Sequence, residues 1–270
     1  RDRQRPLRRD VDIPFGAYSL PLTTEMSAGI VRAVRRRPGS HNARRRQIEQ
    51  LVLRALYDGY RRALERARRS GLRGSMSAIE LEERDFVEII RDEPTFHDAL
   101  DRMWPLLLPQ ELLHDLFGAR PLLDLAAPNL SAEDRAALER PRSTALEEIP
   151  WTEADLPLLD EAYVHLGPRR ATKIQDDSSL QSRTFGHIVV DEAQDLSPMQ
   201  LRMLARRSLS GSMTVVGDIA QATGYWSPGD WGQILAHLPS RKPSRKVELS
   251  VNYRTPAEVM ELAARVLAAA

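Results

Sequence analysis

Apolar positions recur at helical spacing over roughly the first two-thirds of the chain and collapse into short apolar runs in the last third. The clearest helix covers about 42–69. There Ile48, Leu51, Val52, Leu56, Tyr60 and Leu64 share one face, while Arg54, Arg61, Arg62 and Arg69 lie on the other. Residues 1–22, punctuated by Pro6, Pro14 and Pro21, read as extended or irregular. Thr23 or Thr24 caps a predicted helix that runs to about Arg37, where Pro38-Gly39-Ser40 stops it. Further helices are expected from Ser77 to Asp92 with a Ser77/Glu80 capping box, from a Thr95 cap to Trp104, from Pro109 to Phe117, and from Thr152 to Leu166. Between Gly118 and Pro150 four prolines break the pattern, leaving one short helical candidate at Ser131–Glu139.

The last third has a different period. Short apolar runs at His187–Val190, Met213–Val216 and Val247–Val251 each precede a helical stretch, beginning near Ser197-Pro198, Gly229 and Pro256. Strands alternating with helices imply βαβ units and a parallel sheet. The expected class is therefore α/β, a partial parallel sheet preceded by a mostly helical insertion. The organisation read from the pattern is a helical part at 1–120, an irregular acidic loop and returning helix at 121–183, and an α/β part at 184–270.

Composition narrows the classes. With 42% hydrophobic and 29% charged residues, the chain has the balance of a globular domain rather than a disordered one. No apolar run reaches the ~18 residues of a membrane span, so no membrane partner is expected. The absence of cysteine excludes disulfides and thiolate metal sites and agrees with a cytoplasmic setting. The chain opens on Arg1 and closes on three alanines, and it is expected to be a piece of a longer protein. A net charge of +1 conceals three blocks, +12 over 1–73, −15 over 74–200 and +4 over 201–270. Blocks of opposite sign suggest surfaces for different partners.

Chemistry concentrates at the ends of the apolar runs. Ile188-Val189-Val190 is followed by Asp191-Glu192-Ala193-Gln194-Asp195. A carboxylate at a strand end suits Mg2+, which prefers hard oxygen ligands, and the neighbouring Glu192 can deprotonate an attacking water. Val215-Val216-Gly217-Asp218-Ile219-Ala220-Gln221 and Asn252-Tyr253-Arg254-Thr255-Pro256 follow at intervals of about thirty residues. A Gln amide both donates and accepts, and an Arg fork matches phosphate oxygens.

In this order the three blocks resemble motifs II, III and IV of superfamily 1 helicases of the UvrD/Rep type. The resemblance implies a RecA-like motor domain using ATP and Mg2+. Asp191 would hold the metal, and Glu192 and Arg254 would be catalytic. Asp218 and Gln221 would sense the γ-phosphate, Tyr253 would stack on adenine, and Tyr225 would stack on a nucleic-acid base. No Gly-x-x-x-x-Gly-Lys-[Ser/Thr] loop occurs, and Lys173, Lys242 and Lys246 are the only lysines. This stretch is therefore expected to be inactive by itself.

The preceding region, with Arg35-Arg36-Arg37-Pro38-Gly39-Ser40-His41-Asn42, Leu112-Leu113-His114-Asp115-Leu116-Phe117-Gly118 and the run Trp151 to Glu161, is similar to HelD-type ATPases of Gram-positive bacteria. The Ala- and Arg-rich, Lys-poor composition fits an actinobacterial member. Such proteins bind RNA polymerase and release it from nucleic acid. By that likeness Asp124, Glu133, Asp134, Glu139, Glu147 and Glu148 form an acidic loop directed at a basic channel, and Arg35, Arg36, Arg37, Arg44, Arg45 and Arg46 contact a partner or DNA or RNA. Two alternatives stand beside this reading, a DNA-unwinding repair helicase and a non-catalytic polymerase-binding module.

Overall fold

The computed structural model describes residues 4–16, 18–69, 81–168, 183–224, 226–239, 243–249, 251, 253 and 255–269. The chain forms two compact units, Arg1–Thr152 with Glu161–Lys173, and Glu153–Asp160 with Ile174–Ala270.

The first unit starts with an antiparallel hairpin, β1 (Val11–Phe15) and β2 (Tyr18–Leu22), turned at Gly16, whose φ of +57° suits glycine. Alternation along both strands buries Ile13, Phe15, Leu20 and Leu22 on one face. That face packs with α1 (Thr24–Arg35), α2 (His41–Arg69), α3 (Glu83–Arg91) and α4 (Pro94–Met103) around one core. Phe86 lies at its centre, with ring centroids 4.9 Å from Phe15 and 5.4 Å from Tyr60. Thr23 caps α1, accepting from Met26 N at 3.2 Å. Beyond α4 come α5 (Pro109–Phe117), α6 (Arg120–Ala126) and α7 (Ala132–Leu138).

Asn42, buried at the start of α2, ties distant segments of this unit together. Its amide donates to Leu107 O at 3.0 Å and Gly167 O at 2.8 Å and accepts from Leu107 N at 3.0 Å. Next to it, His41 stacks on the buried Trp104 at 5.3 Å. Its Nε2 donates to Pro105 O at 2.6 Å, which leaves Nδ1 to accept from Gln4 Nε2 at 3.1 Å. Burial holds the His41 pKa below its ordinary value.

Several expected boundaries move. Helix α3 begins at Glu83, and the Ser77/Glu80 box lies outside the described residues. Helix α4 starts at Pro94 with Glu93 as its flanking residue, so Thr95 sits inside it. Proline suits that first position because its missing N–H would have no helical partner there. The same physics explains α6, which the pattern did not predict. Pro121 lies in its first turn and opens the helix where it was read as a breaker.

The second unit opens with a 3-10 turn, Glu153–Asp155, leading into α8 (Leu156–Leu166), of which 156–160 belong to this unit. It continues with β3 (Ile188–Val190), α9 (Pro198–Arg207), β4 (Met213–Val215), α10 (Trp231–Leu235) and α11 (Ala257–Ala269). Strands β3 and β4 pair in parallel, Ile188 with Met213 and Val190 with Val215, so β3–α9–β4 is a βαβ unit and the class is α/β. Ser197 and Gln200 form the capping box that starts α9. Val190, Ala193, Leu201 and Ile234 make the core, with Trp226 and Trp231 packed on it. Asp160, 8% exposed, receives Arg206 Nε at 2.9 Å and Nη2 at 2.5 Å and Arg207 Nη2 at 2.7 Å, which fastens α8 to α9.

Among the described residues of 247–251 the expected strand does not form. Val247, Leu249 and Val251 are all exposed, and no ladder partner stands beside them among the described residues. Alternation alone cannot make a strand without a neighbouring edge and a covered face. Among the described residues no helix is long and apolar enough to cross a membrane.

Candidate functional site

The carboxyl ends of β3 and β4 deliver the two acidic blocks side by side. Val216 N donates to Val190 O at 2.8 Å, and Ala193 N donates to Val216 O at 3.0 Å, so the ladder extends past the strands into the loops. Asp191 and Glu192 are both exposed at this edge. Asp191 Oδ1 accepts from Glu192 N at 2.9 Å. Glu192 has φ +51°, the only left-handed non-glycine backbone among the described residues. A non-glycine residue held there carries local strain, and such strain clusters at functional sites.

A continuous hydrogen-bonded chain joins the blocks. Glu192 Oε2 accepts from Gln194 Nε2 at 2.8 Å, and Gln194 Oε1 accepts from Asp218 N at 3.0 Å. Asp218 Oδ1 accepts from Ala220 N at 3.0 Å, and Asp218 Oδ2 accepts from Gln221 Nε2 at 2.8 Å. Alongside, Asp195 Oδ1 accepts from Thr223 N at 2.9 Å and Thr223 Oγ1 at 3.2 Å. Gly217 permits this approach, since a Cβ there would collide with Gln194 Oε1 and come within 3.1 Å of Ala193 N. Beside the 217–220 loop lies an open cavity of about 630 Å3, also lined by Gly229–Gly232 and Lys246.

Among the described residues no three ligating side chains converge on a point where they could hold a metal unaided. Mg2+ bound in company with phosphate keeps its waters and takes only one or two protein carboxylates. Asp191 presents one exposed carboxylate at the end of β3. The donor set therefore fits a magnesium–nucleotide, although the chain contains no phosphate loop.

The other predicted residues fall in several places. Tyr225 and Arg254 lie outside the described residues, and Tyr253 is 96% exposed. Arg36, Arg37 and Arg46 are exposed and Arg44 half-buried. Arg35 donates to Gln4 O. Arg45 does not belong with this outward set. It is 8% exposed, bonds Asp101 at 2.6 Å, and burial lowers its pKa.

The acidic stretch is likewise not the irregular loop expected. Asp124 lies in α6 and pairs with Arg120 at 3.1 Å and Arg135 at 2.9 Å, while Glu139 pairs with Arg120 at 3.2 Å. Ser131 caps α7, accepting from Asp134 N at 3.0 Å while the Asp134 carboxylate accepts from Ser131 Oγ at 2.6 Å, and Glu148 accepts from Ser143 Oγ at 2.8 Å. Glu133 and Glu147 are exposed, in α7 and in a 3-10 turn. Arginines organise two of these acids, Asp124 and Glu139, a pairing that proline counting does not reveal.

Sequence reasoning passed over Gln194 and Gly217 as site residues. The available signal was a Gln placed two residues after the acidic pair and a Gly directly before Asp218. Their meeting depends on strand register.

Residues 160–238 match the UvrD/REP helicase N-terminal domain family. The chain is also similar to a PhoH-like protein of Synechocystis sp., 30% identical over 108 residues that cover 33% of this chain and 33% of that protein. The matched stretch thus spans about a third of the curated relative. The family match supports a superfamily 1, UvrD-type helicase-like assignment for this part of the chain.

Proposed function

We propose that the second unit is the motif II and III part of an ATP-hydrolysing, superfamily 1 helicase-like motor. The observation that carries this reading is the left-handed Glu192 beside Asp191 at a parallel strand end, hydrogen-bonded through to Asp218. Bound Mg2+–ATP supplies the phosphoryl group and the ion that neutralises its oxygens. Asp191 would hold the ion through its carboxylate, directly or through water. Glu192, anchored at Oε2 by Gln194, orients water and takes its proton at Oε1. Asp218 and Gln221 read the terminal phosphate, Arg254 adds its fork to the same group, Tyr253 supports the base, and Tyr225 stacks on nucleic acid.

The finer reading is that the longer protein acts on RNA polymerase and promotes release of its nucleic acid. Charge layout supports it. The net −15 of residues 74–200 suits a basic, nucleic-acid-binding surface of a partner better than a duplex, and it stands against the arginine-rich 1–73. Unwinding of DNA by a repair helicase is the competing reading.

The test uses protein that carries a phosphate loop together with this chain. Glu192→Gln should reduce ATP turnover at least about a hundredfold while leaving nucleotide binding intact, because the amide keeps the shape but takes no proton. Turnover within a few-fold of wild type would remove Glu192 as the base. For the finer reading, wild type should copurify with RNA polymerase, and Glu133→Ala with Glu147→Ala should impair release while ATP turnover stays normal. Duplex unwinding without polymerase binding would favour the helicase reading instead.

A further inference from the structure

The geometry points to Gln194 as a positioning residue that holds the Glu192 carboxylate and couples it to the 217–221 loop. This rests on the motor reading above. Gln194 is 2% exposed, in a loop whose acidic neighbours Asp191, Glu192 and Asp195 are all exposed. Its amide orientation is fixed by its partners. Asp218 N can only donate, so Oε1 must face it, and that turns Nε2 to the carboxylate of Glu192. Both ends of one rigid group are thus engaged, one by a side chain of the first block and the other by the backbone of the second.

The chain continues to the surface. Asp218 Oδ2 accepts from Gln221 Nε2, and Gln221 is exposed. A displacement of Asp218 by a ligand therefore reaches Glu192 through two hydrogen bonds and one buried amide, and a displacement of Gln221 reaches it through three. Water does not intervene at these separations, 2.8 Å and 3.0 Å. Gly217 belongs to the same device. Its missing Cβ is the space that Gln194 Oε1 occupies. Ala193 N to Val216 O fixes the two loops at that level, so the amide has little room to adjust.

The first arm needs no nucleotide. In the 15N-labelled chain, the Asp218 backbone amide should exchange slowly, and the Gln194 side-chain amide should show two well-separated, slowly exchanging protons. Gln194→Met removes both bonds and should speed Asp218 exchange at least about tenfold. Gln194→Glu keeps the acceptor and the size, so it should preserve Asp218 protection. Glu192→Gln should shift the Gln194 side-chain resonances.

The second arm measures turnover in the phosphate-loop-containing protein. Gln194→Met, Gln194→Glu and Gly217→Ala should each lower kcat at least about tenfold with KM for ATP within threefold. The Gln194→Met/Gly217→Ala double variant should be no worse than the worse single variant, because both act through the same amide. Near-normal kcat in Gln194→Glu, with Asp218 still protected, would reduce Gln194 to packing and overturn the proposal. So would Gln194 resonances indifferent to Glu192→Gln. Should Gln194→Met fail to fold, Gln194→Glu and Gly217→Ala still decide. Normal turnover in Glu192→Gln would sink the motor reading itself, whatever the Gln194 variants do.

Discussion

Replacing Asn42 by Ala should be among the most damaging single changes in the first unit. The side chain is 4% exposed and makes three hydrogen bonds, donating to Leu107 O and Gly167 O and accepting from Leu107 N. Truncation leaves the buried Leu107 N–H without a partner, which costs about 1–3 kcal/mol. The Gly167 carbonyl loses less, since its bond is only partly buried and water can replace it. Together with a small cavity, the total should be about 3 kcal/mol, or about 6–12 °C in Tm for a domain of this size.

Asn42→Asp sharpens the argument. It keeps the acceptor for Leu107 N but turns a carboxylate oxygen toward two carbonyl oxygens at the present donor distances of 3.0 and 2.8 Å. At pH 7.5 it should be less stable than Asn42→Ala. The gap should narrow toward pH 5, because a carboxyl held in this site has a raised pKa and its protonated form can donate to one carbonyl. Urea titrations of wild type and both variants at the two pH values measure this. An Asp variant as stable as wild type at pH 7.5, or an Ala variant within about 0.5 kcal/mol of it, would show that these bonds do not hold the unit together.

Three further outcomes are expected. His41 has a pKa depressed below its ordinary 6.5 by burial, so the unfolded chain takes up the proton first as pH falls. Its contribution to stability should be complete above 6.5 and decline as pH falls from there toward the folded value; a urea midpoint that falls equally in His41→Gln between pH 7.5 and 5.5 would contradict this. Asp160→Asn removes the charge that faces Arg206 and Arg207 and should cost about 2 kcal/mol, less than a fully buried pair because both arginines are about a fifth to a quarter exposed; an unchanged melting transition would refute it. Thr23→Ala should destabilise α1 by about 1 kcal/mol through loss of the bond from Met26 N, whereas Thr23→Ser should be close to neutral in the same denaturation assay.

Local order was legible in the sequence. The cap of α1 at Thr23 or Thr24, the long α2 from its apolar stripe, α5 from Pro109 and the start of α9 at Ser197-Pro198 are each determined by contacts within a few residues, so spacing alone finds them. The acid pair at the end of β3 is equally local, because an apolar run followed by Asp191-Glu192 fixes where the strand stops. Elements that depend on distant partners were not legible. The hairpin of β1 and β2 needs the core face supplied by α2, and 247–251 alternates as a strand does but pairs with no neighbouring strand among the described residues. The same division holds at the site. Sequence named Glu192 and Asp218 separately, but the meeting of Gln194 with Asp218 N across the bare Cα of Gly217 follows from the parallel register of β3 on β4. It also could not show that Arg45 turns inward to Asp101 while Arg46 turns out, since adjacent residues on a helix part by about 100° and only the packed core decides which one is covered.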